Sequence, residues 1–188
     1  MERSENKRSL VFSRLYIRCG ECDEKYNFVK KFDDYFFCTN PLELILSHYP
    51  LEDQWQLIQK PKTLEDFEKS LKISNYFYKL GFKKINQEID TINLFENKTE
   101  IKITYDTSKN LHITGVLTSS ENCNSNKIPN SLNITRLKKH FLINVFINKK
   151  GEYYLYLFGK TDEIEDLEQL VVFKLINEND STQEFYYP

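Results

Sequence analysis

A chain of 188 residues with 40% hydrophobic and 14% aromatic content can bury a sizeable core as one large domain, or as one domain with a small appended piece. Five glycines and five prolines exclude collagen-like and low-complexity character. The 26 basic and 28 acidic residues leave a formal net charge of −2, without the basic excess that nucleic-acid binders use against phosphate, and no apolar run reaches the roughly 18 residues of a membrane-spanning helix.

The N-terminal decapeptide Met1–Leu10 is charged and has no apolar h-region, so no secretory signal is expected and the location reads as cytoplasmic. Leu10–Ile17 reads as a strand. The aromatic run Tyr35–Cys38 leads into Thr39-Asn40-Pro41, a capping residue just before a proline, which starts a short helix through Leu42, Leu44, Ile45 and His48 that Pro50 stops. Trp55 is the one tryptophan and lies between Pro50 and Pro61. It is expected as a buried anchor that holds the helical segment on the rest of the fold.

Thr63-Leu-Glu-Asp66 has the form of a capping box, and Leu64, Phe67 and Leu71 then repeat at helical spacing. Ser74 is expected to cap a second short helix, with Tyr76, Phe77 and Leu80, that ends at Gly81. Past Phe82 the hydrophobic period changes to two. Glu100–Tyr105, Leu111–Leu117, Phe141–Ile147, Glu152–Phe158 and Leu170–Ile176 read as strands, and Ile89–Phe95 as a weaker one. Asn148–Gly151 is a tight hairpin signal, and the polar stretch Ser119–Asn133 reads as a long mobile loop. The expectation is a mainly β protein: an antiparallel β-sandwich over 82–188, with a strand and short-helix segment over 1–81 packed on it.

The side chains that usually carry chemistry do not assemble into a site. Cys19-Gly-Glu-Cys22 is a CxxC pair, but redox use needs a thiolate at a helix N-terminus and zinc needs two further ligands at metal spacing. A loop with incidental thiols is the expected reading, and reduced thiols are expected at Cys19, Cys22, Cys38 and Cys123 in a cytosolic compartment. Cys38 and His48 read as a buried structural thiol and a helix-end histidine rather than as nucleophile and base. His112 and His140 read as ordinary strand-associated histidines. The acidic run Asp162–Asp166 with Glu168 lacks a turn glycine for a calcium loop and reads as a solvated turn. The dispersed doublets Lys30-Lys31, Lys83-Lys84, Lys138-Lys139 and Lys149-Lys150 read as solubilising sheet edges. No residue is assigned a catalytic, cofactor-binding or metal role, and no cofactor is implied.

Three stretches together resemble one family. They are Tyr35–Pro50, Asp53–Phe67 with its Trp55-Gln-Leu57 segment, and Gly151-Glu-Tyr-Tyr-Leu-Tyr-Leu-Phe-Gly-Lys160. Together they are similar to the region that follows the transglutaminase-like core in kyphoscoliosis peptidase and hillarin-type proteins, over roughly Tyr26 to Ile176. The resemblance implies an immunoglobulin-like sandwich. The family's core uses a cysteine, a histidine and an aspartate upstream of this region. Where its aspartate and Trp-Gly would stand, this chain reads Ser13–Gly20, so no catalytic residue carries over.

The expected role is therefore that of a non-catalytic interaction or scaffold domain with a protein partner, in cytoskeletal assembly by resemblance, with no nucleic acid and no membrane insertion. The contact surfaces expected are the Ser119–Asn133 loop and the Asn148–Gly151 hairpin. One alternative is an accessory part that shapes substrate access to a transglutaminase-like peptidase core lying outside this chain. Another is a secreted or surface adhesion domain, which glycan on the sequons at Asn97, Asn133 or Asn179 would mark.

Overall fold

The computed structural model describes residues 20–22, 28–30, 39–46, 48–50, 52–121, 123, 126–163 and 166–179. The expected strand at Leu10–Ile17 and the Tyr35–Cys38 run lie outside them. The chain divides into two compact units, Met1–Pro61 and Lys62–Pro188.

In the first unit, β1 (Gly20–Cys22) and β2 (Phe28–Lys30) pair antiparallel, which places Cys22 on a hairpin strand. Helix α1 (Pro41–Leu44) starts where a capped proline predicts, and the Asn40 side chain accepts from Leu42 N at 2.9 Å. A 3-10 turn covers Asp53–Trp55. Trp55 is not a buried anchor. It is 65% exposed, because its indole N–H is taken by the Glu52 carboxylate at 3.2 Å, which holds the ring on the surface of its own turn.

The second unit begins with two short helices. Helix α2 (Leu64–Lys69) has Thr63 at its N-cap. The hydroxyl accepts from Asp66 N at 3.1 Å and donates to the Asp66 carboxylate at 2.7 Å, so the acid reaches back to the hydroxyl. These bonds hold the Asp66 carboxyl below the usual range. Helix α3 (Asn75–Leu80) ends at Gly81, whose φ of +111° is the left-handed conformation expected of a C-terminal glycine. Ser74 occupies the N-cap position, but its hydroxyl makes no capping bond. Its backbone N–H instead donates to Leu170 O at 2.9 Å, which ties the helix to the sheet. Phe77 and Leu80 are fully buried, and Phe77 stacks on Phe82 with ring centres 5.3 Å apart. The two helices thus belong with the sandwich, and the contact boundary falls at Pro61 rather than at the change of hydrophobic period near Phe82.

Eight strands follow: β3 (Phe82–Ile85), β4 (Thr91–Asn93), β5 (Lys98–Tyr105), β6 (Leu111–Thr118), β7 (Leu132–Arg136), β8 (His140–Phe146), β9 (Gly151–Thr161) and β10 (Glu168–Asn177). They form two four-stranded sheets in the orders β4-β10-β9-β6 and β3-β5-β8-β7. All pairings are antiparallel except β4 with β10. The first strand is therefore split. β3 joins one sheet and β4 crosses to the other, where it runs parallel to the last strand. This is the immunoglobulin arrangement, with β3, β5, β8 and β7 as one sheet and β10, β9 and β6 as the core of the other. The inner faces alternate as period two requires: Ile101, Ile103, Ile143 and Val145 meet Leu155, Leu157, Phe173 and Leu175, all essentially inaccessible.

The sequence did not announce β3, because Lys83-Lys84 interrupts its alternation where the strand is bulged. β7 takes the last two residues of the segment read as a loop, Leu132 and Asn133. Residues 126–128 of that segment fold back on β6: Lys127 bridges Thr118, and Ile128 N donates to Leu117 O at 2.9 Å.

Candidate functional site: the turn end of the sandwich

The strand directions bring the two surfaces expected from sequence to one end of the sandwich. β6 runs out at Thr118 opposite Tyr154, and β9 starts at Gly151, so the 119–131 loop and the 147–150 hairpin are neighbours. A third turn, which sequence reading missed, joins them. Phe95 and Lys98 bond each other's main chain at 3.2 and 3.0 Å around Glu96 and Asn97, which have φ of 48° and 64°. Two successive left-handed residues make the type I′ turn that matches strand twist, and Glu-Asn is an unusual pair to fill it. The Asn97 side chain is buried in this turn, and its Oδ1 makes no hydrogen bond within the chain. The Asn97 sequon thus lies at a buried side chain, whereas Asn133 and Asn179 are exposed.

The 147–150 hairpin is stapled from both sides. Tyr153 donates its phenolic O–H back to Lys149 O at 2.8 Å, and Asn177 Nδ2 donates to Ile147 O at 2.7 Å and to Lys149 O at 3.1 Å. A tyrosine near the start of the sixth sandwich strand, bonded to the backbone just upstream, is the tyrosine corner of immunoglobulin-type sandwiches. The 119–131 loop is pinned from the other sheet face. Tyr154 donates to the Glu121 carboxylate at 3.1 Å, and Tyr156 donates to the Glu121 carbonyl. Burial pushes the hydroxyl pKa of both tyrosines up, with the Glu121 charge adding to it, so both remain donors across the physiological range.

Beside the Phe95–Lys98 turn, over paired positions of β5 and β8, lies an open groove of about 350 Å³, lined by Asn93, Phe95, Lys98, Glu100, Asn144 and Phe146 among others. Phe95 is 73% exposed, the most exposed large hydrophobic side chain among the described residues. The bare Phe95 ring stands there beside half-buried Phe146.

The opposite end holds an acid–imidazole pair. Asp162 accepts from Asn110 Nδ2 at 2.6 Å and meets His112 Nε2 at 2.9 Å. Arg136 donates to Asn110 Oδ1 at 2.8 Å and to the Tyr105 hydroxyl at 3.3 Å, and its guanidinium covers the Tyr105 ring. The Asn110 and His112 bonds hold the Asp162 carboxyl below its usual range. The pair links β6 to the turn that follows β9. Asp162 is thus more than a solvated turn residue. Among the described residues no three His, Cys, Asp or Glu side chains group to hold a metal. Cys123 is a free, half-buried thiol on the 119–131 loop.

Residues 64–188 match the family model for the KY-like, immunoglobulin-like domain. The chain belongs to this family. Its KY-like domain starts at helix α2, which agrees with the inclusion of both helices in the second unit. The chain is similar to Hillarin of Drosophila melanogaster, with 39% identity over 51 residues that span 27% of this chain and 6% of that protein. It is similar to the kyphoscoliosis peptidase of Mus musculus, with 30% identity over 79 residues that span 42% of this chain and 12% of that protein. The KY-like chain therefore matches only a small part of these longer relatives. A solved PapD-like domain of human CEP192 aligns over 72% of this chain and 99% of its own, with 9% identity and a TM-score of 0.32. No helix among the described residues is long and apolar enough to cross a membrane.

Proposed function

We propose that this chain is a non-catalytic protein-interaction domain that serves a cytoplasmic scaffold, with a cytoskeletal protein partner, and that it engages the partner through the turn end of the sandwich. The observation that carries this reading is Phe95, exposed on a rigid I′ turn beside the groove floored by Phe146. Interface energy concentrates in aromatic anchors on preorganised surfaces, and truncating one such anchor costs about 2 kcal/mol or more. The test is a pull-down from native-source lysate with the full chain as bait, wild type beside Phe95→Ser. The same partner should be recovered by wild type and reduced at least about tenfold by the variant, with unchanged thermal unfolding. Equal recovery by both baits would move the contact surface elsewhere.

A second reading is supported by the relatives themselves. Proteins named kyphoscoliosis peptidase match this chain over only 12% of their length. In that reading the domain is an accessory part that shapes substrate access to a catalytic core. Joining the domain to such a core and measuring turnover with and without it separates the two. A changed KM favours the accessory role, and unchanged kinetics favour the interaction module.

A further inference from the structure

The four edges of the two sheets are not treated alike. β3 is broken by a bulge between Phe82 and Lys84 and carries exposed Lys83 and Lys84. β4 is three residues long, and the Ser70–Ile89 bridge covers its approach. β6 is paired at its end by residues 126–128 of the folded-back loop. Bulges, lysines, short strands and covering segments are the devices that keep sheet edges from pairing. β7 is the least protected, its charges being confined to Arg136 at its end and Lys138-Lys139 in the turn beyond. It pairs β8 without a register shift, Leu132–Thr135 carry no charge and no proline, and no described residue pairs its other side.

The register says which groups are free. Phe146 N donates to Ser131 O at 2.9 Å, and Leu137 N donates to His140 O at 2.8 Å. These two bonds bracket β7 and place the main-chain bonds to β8 at Asn133 and Thr135. The N–H and C=O groups of Leu132, Ile134 and Arg136 therefore point to the open edge.

We propose that this edge pairs with β7 of a second copy of the chain, antiparallel about Ile134, to form one continuous eight-stranded sheet. In that register Ile134 faces its own equivalent and Leu132 faces Arg136. Asn133 stands opposite Thr135 on the outer face, where an amide and a hydroxyl can bond across strands. The exposed Lys138 and Lys139 fall opposite Asn130 and Pro129, so no like charges meet although both copies present the same basic turn. Two-fold pairing of this kind is isologous and closes at the dimer. The proposal goes beyond the interaction role given above and does not depend on it.

The test is sedimentation of the full chain across concentration, for wild type and for the double variants Asn133→Lys/Thr135→Lys and Asn133→Glu/Thr135→Glu. Both positions face outward on β7, so each variant keeps the core, and circular dichroism checks that it folds. Wild type should dimerise. Each double variant puts two like-charged pairs across the two-fold and should weaken dimerisation about tenfold or more. An equimolar mixture of the two variants should restore the dimer, because only this register sets each lysine against a glutamate. A monomeric wild type, whether or not the edge takes some other extended peptide, overturns the proposal. So does a dimer that both variants leave intact, or a mixture that stays monomeric.

Discussion

The two ends of the sandwich are built on different physics. At one end Asn110, His112, Arg136, Tyr105 and Asp162 bridge three loops from both sheets with side-chain hydrogen bonds. Beneath them an aromatic file runs from Phe77 through Phe82 and Phe141 to Tyr105, with successive ring centres 5.3, 6.1 and 4.8 Å apart. At the other end the turns are fastened from the strands, one by Tyr153 and Asn177 and another by Tyr154 and Tyr156. A I′ turn at Phe95–Lys98 and a tyrosine corner at Tyr153 close locally and leave the Phe95 ring in solvent. The far end thus commits its polar side chains to one network, whereas the turn end leaves the Phe95 ring in solvent.

The largest break in this contrast comes from the file. Phe82 is 2% exposed, stacks on Phe77, and lies so close to Gly159 that a Cβ there would meet its ring at 2.9 Å. Phe82→Ala should cost about 3–5 kcal/mol, since a cavity opens in a packed core. Denaturant unfolding should show the midpoint fall with an unchanged m-value. At the turn end the matching lesion is milder. Tyr153→Phe removes the corner bond, but Lys149 O keeps the Asn177 amide as a donor. The cost should be about 1 kcal/mol, or about 3–5 °C in Tm. A loss as large as that of Phe82→Ala would mean that the Asn177 amide alone does not hold the turn.

The two ends also differed in how far the sequence revealed them. Turn-end features are local. Asn148–Gly151 is a four-residue signal, and Tyr153 follows Lys149 by four positions, a spacing that a search for the tyrosine corner would have found. Gly81 and the Thr63 cap were legible for the same reason. The network at the far end joins positions 110, 136 and 162, and no periodicity links residues about 50 apart. Read alone, His112 is an ordinary surface or half-buried histidine beside a strand and the acidic run a solvated turn. The Glu96-Asn97 turn escaped because it lacks the glycine that usually marks a I′ pair. The helices were read with their packing on the sandwich, but without the contacts that make it. Their apolar stripe shows that they must be buried, and only the Ser74 bond to Leu170 and the stacking of Phe77 show against what.

The smallest expected effect sharpens the contrast through pH. The Asp162 carboxyl is held below its usual range, first by the Asn110 amide and then by His112. A group whose folded pKa is depressed adds stability that is present above its unfolded pKa, near 3.9, and is lost as pH falls through the folded value. Asp162 is solvent-exposed, so the contribution is modest. Thermal unfolding of wild type and Asp162→Asn should therefore differ most at pH 7 and converge as the pH falls below about 4. Asp66 and Asp106 are depressed in the same direction in both proteins, so the wild-type curve alone cannot isolate the network, but the difference between the two curves can. A difference that stays constant from pH 7 to pH 3 would show that the asparagine acts through shape rather than charge. The bonds from Asn110 and His112 would then hold the loops without drawing on the carboxylate's charge.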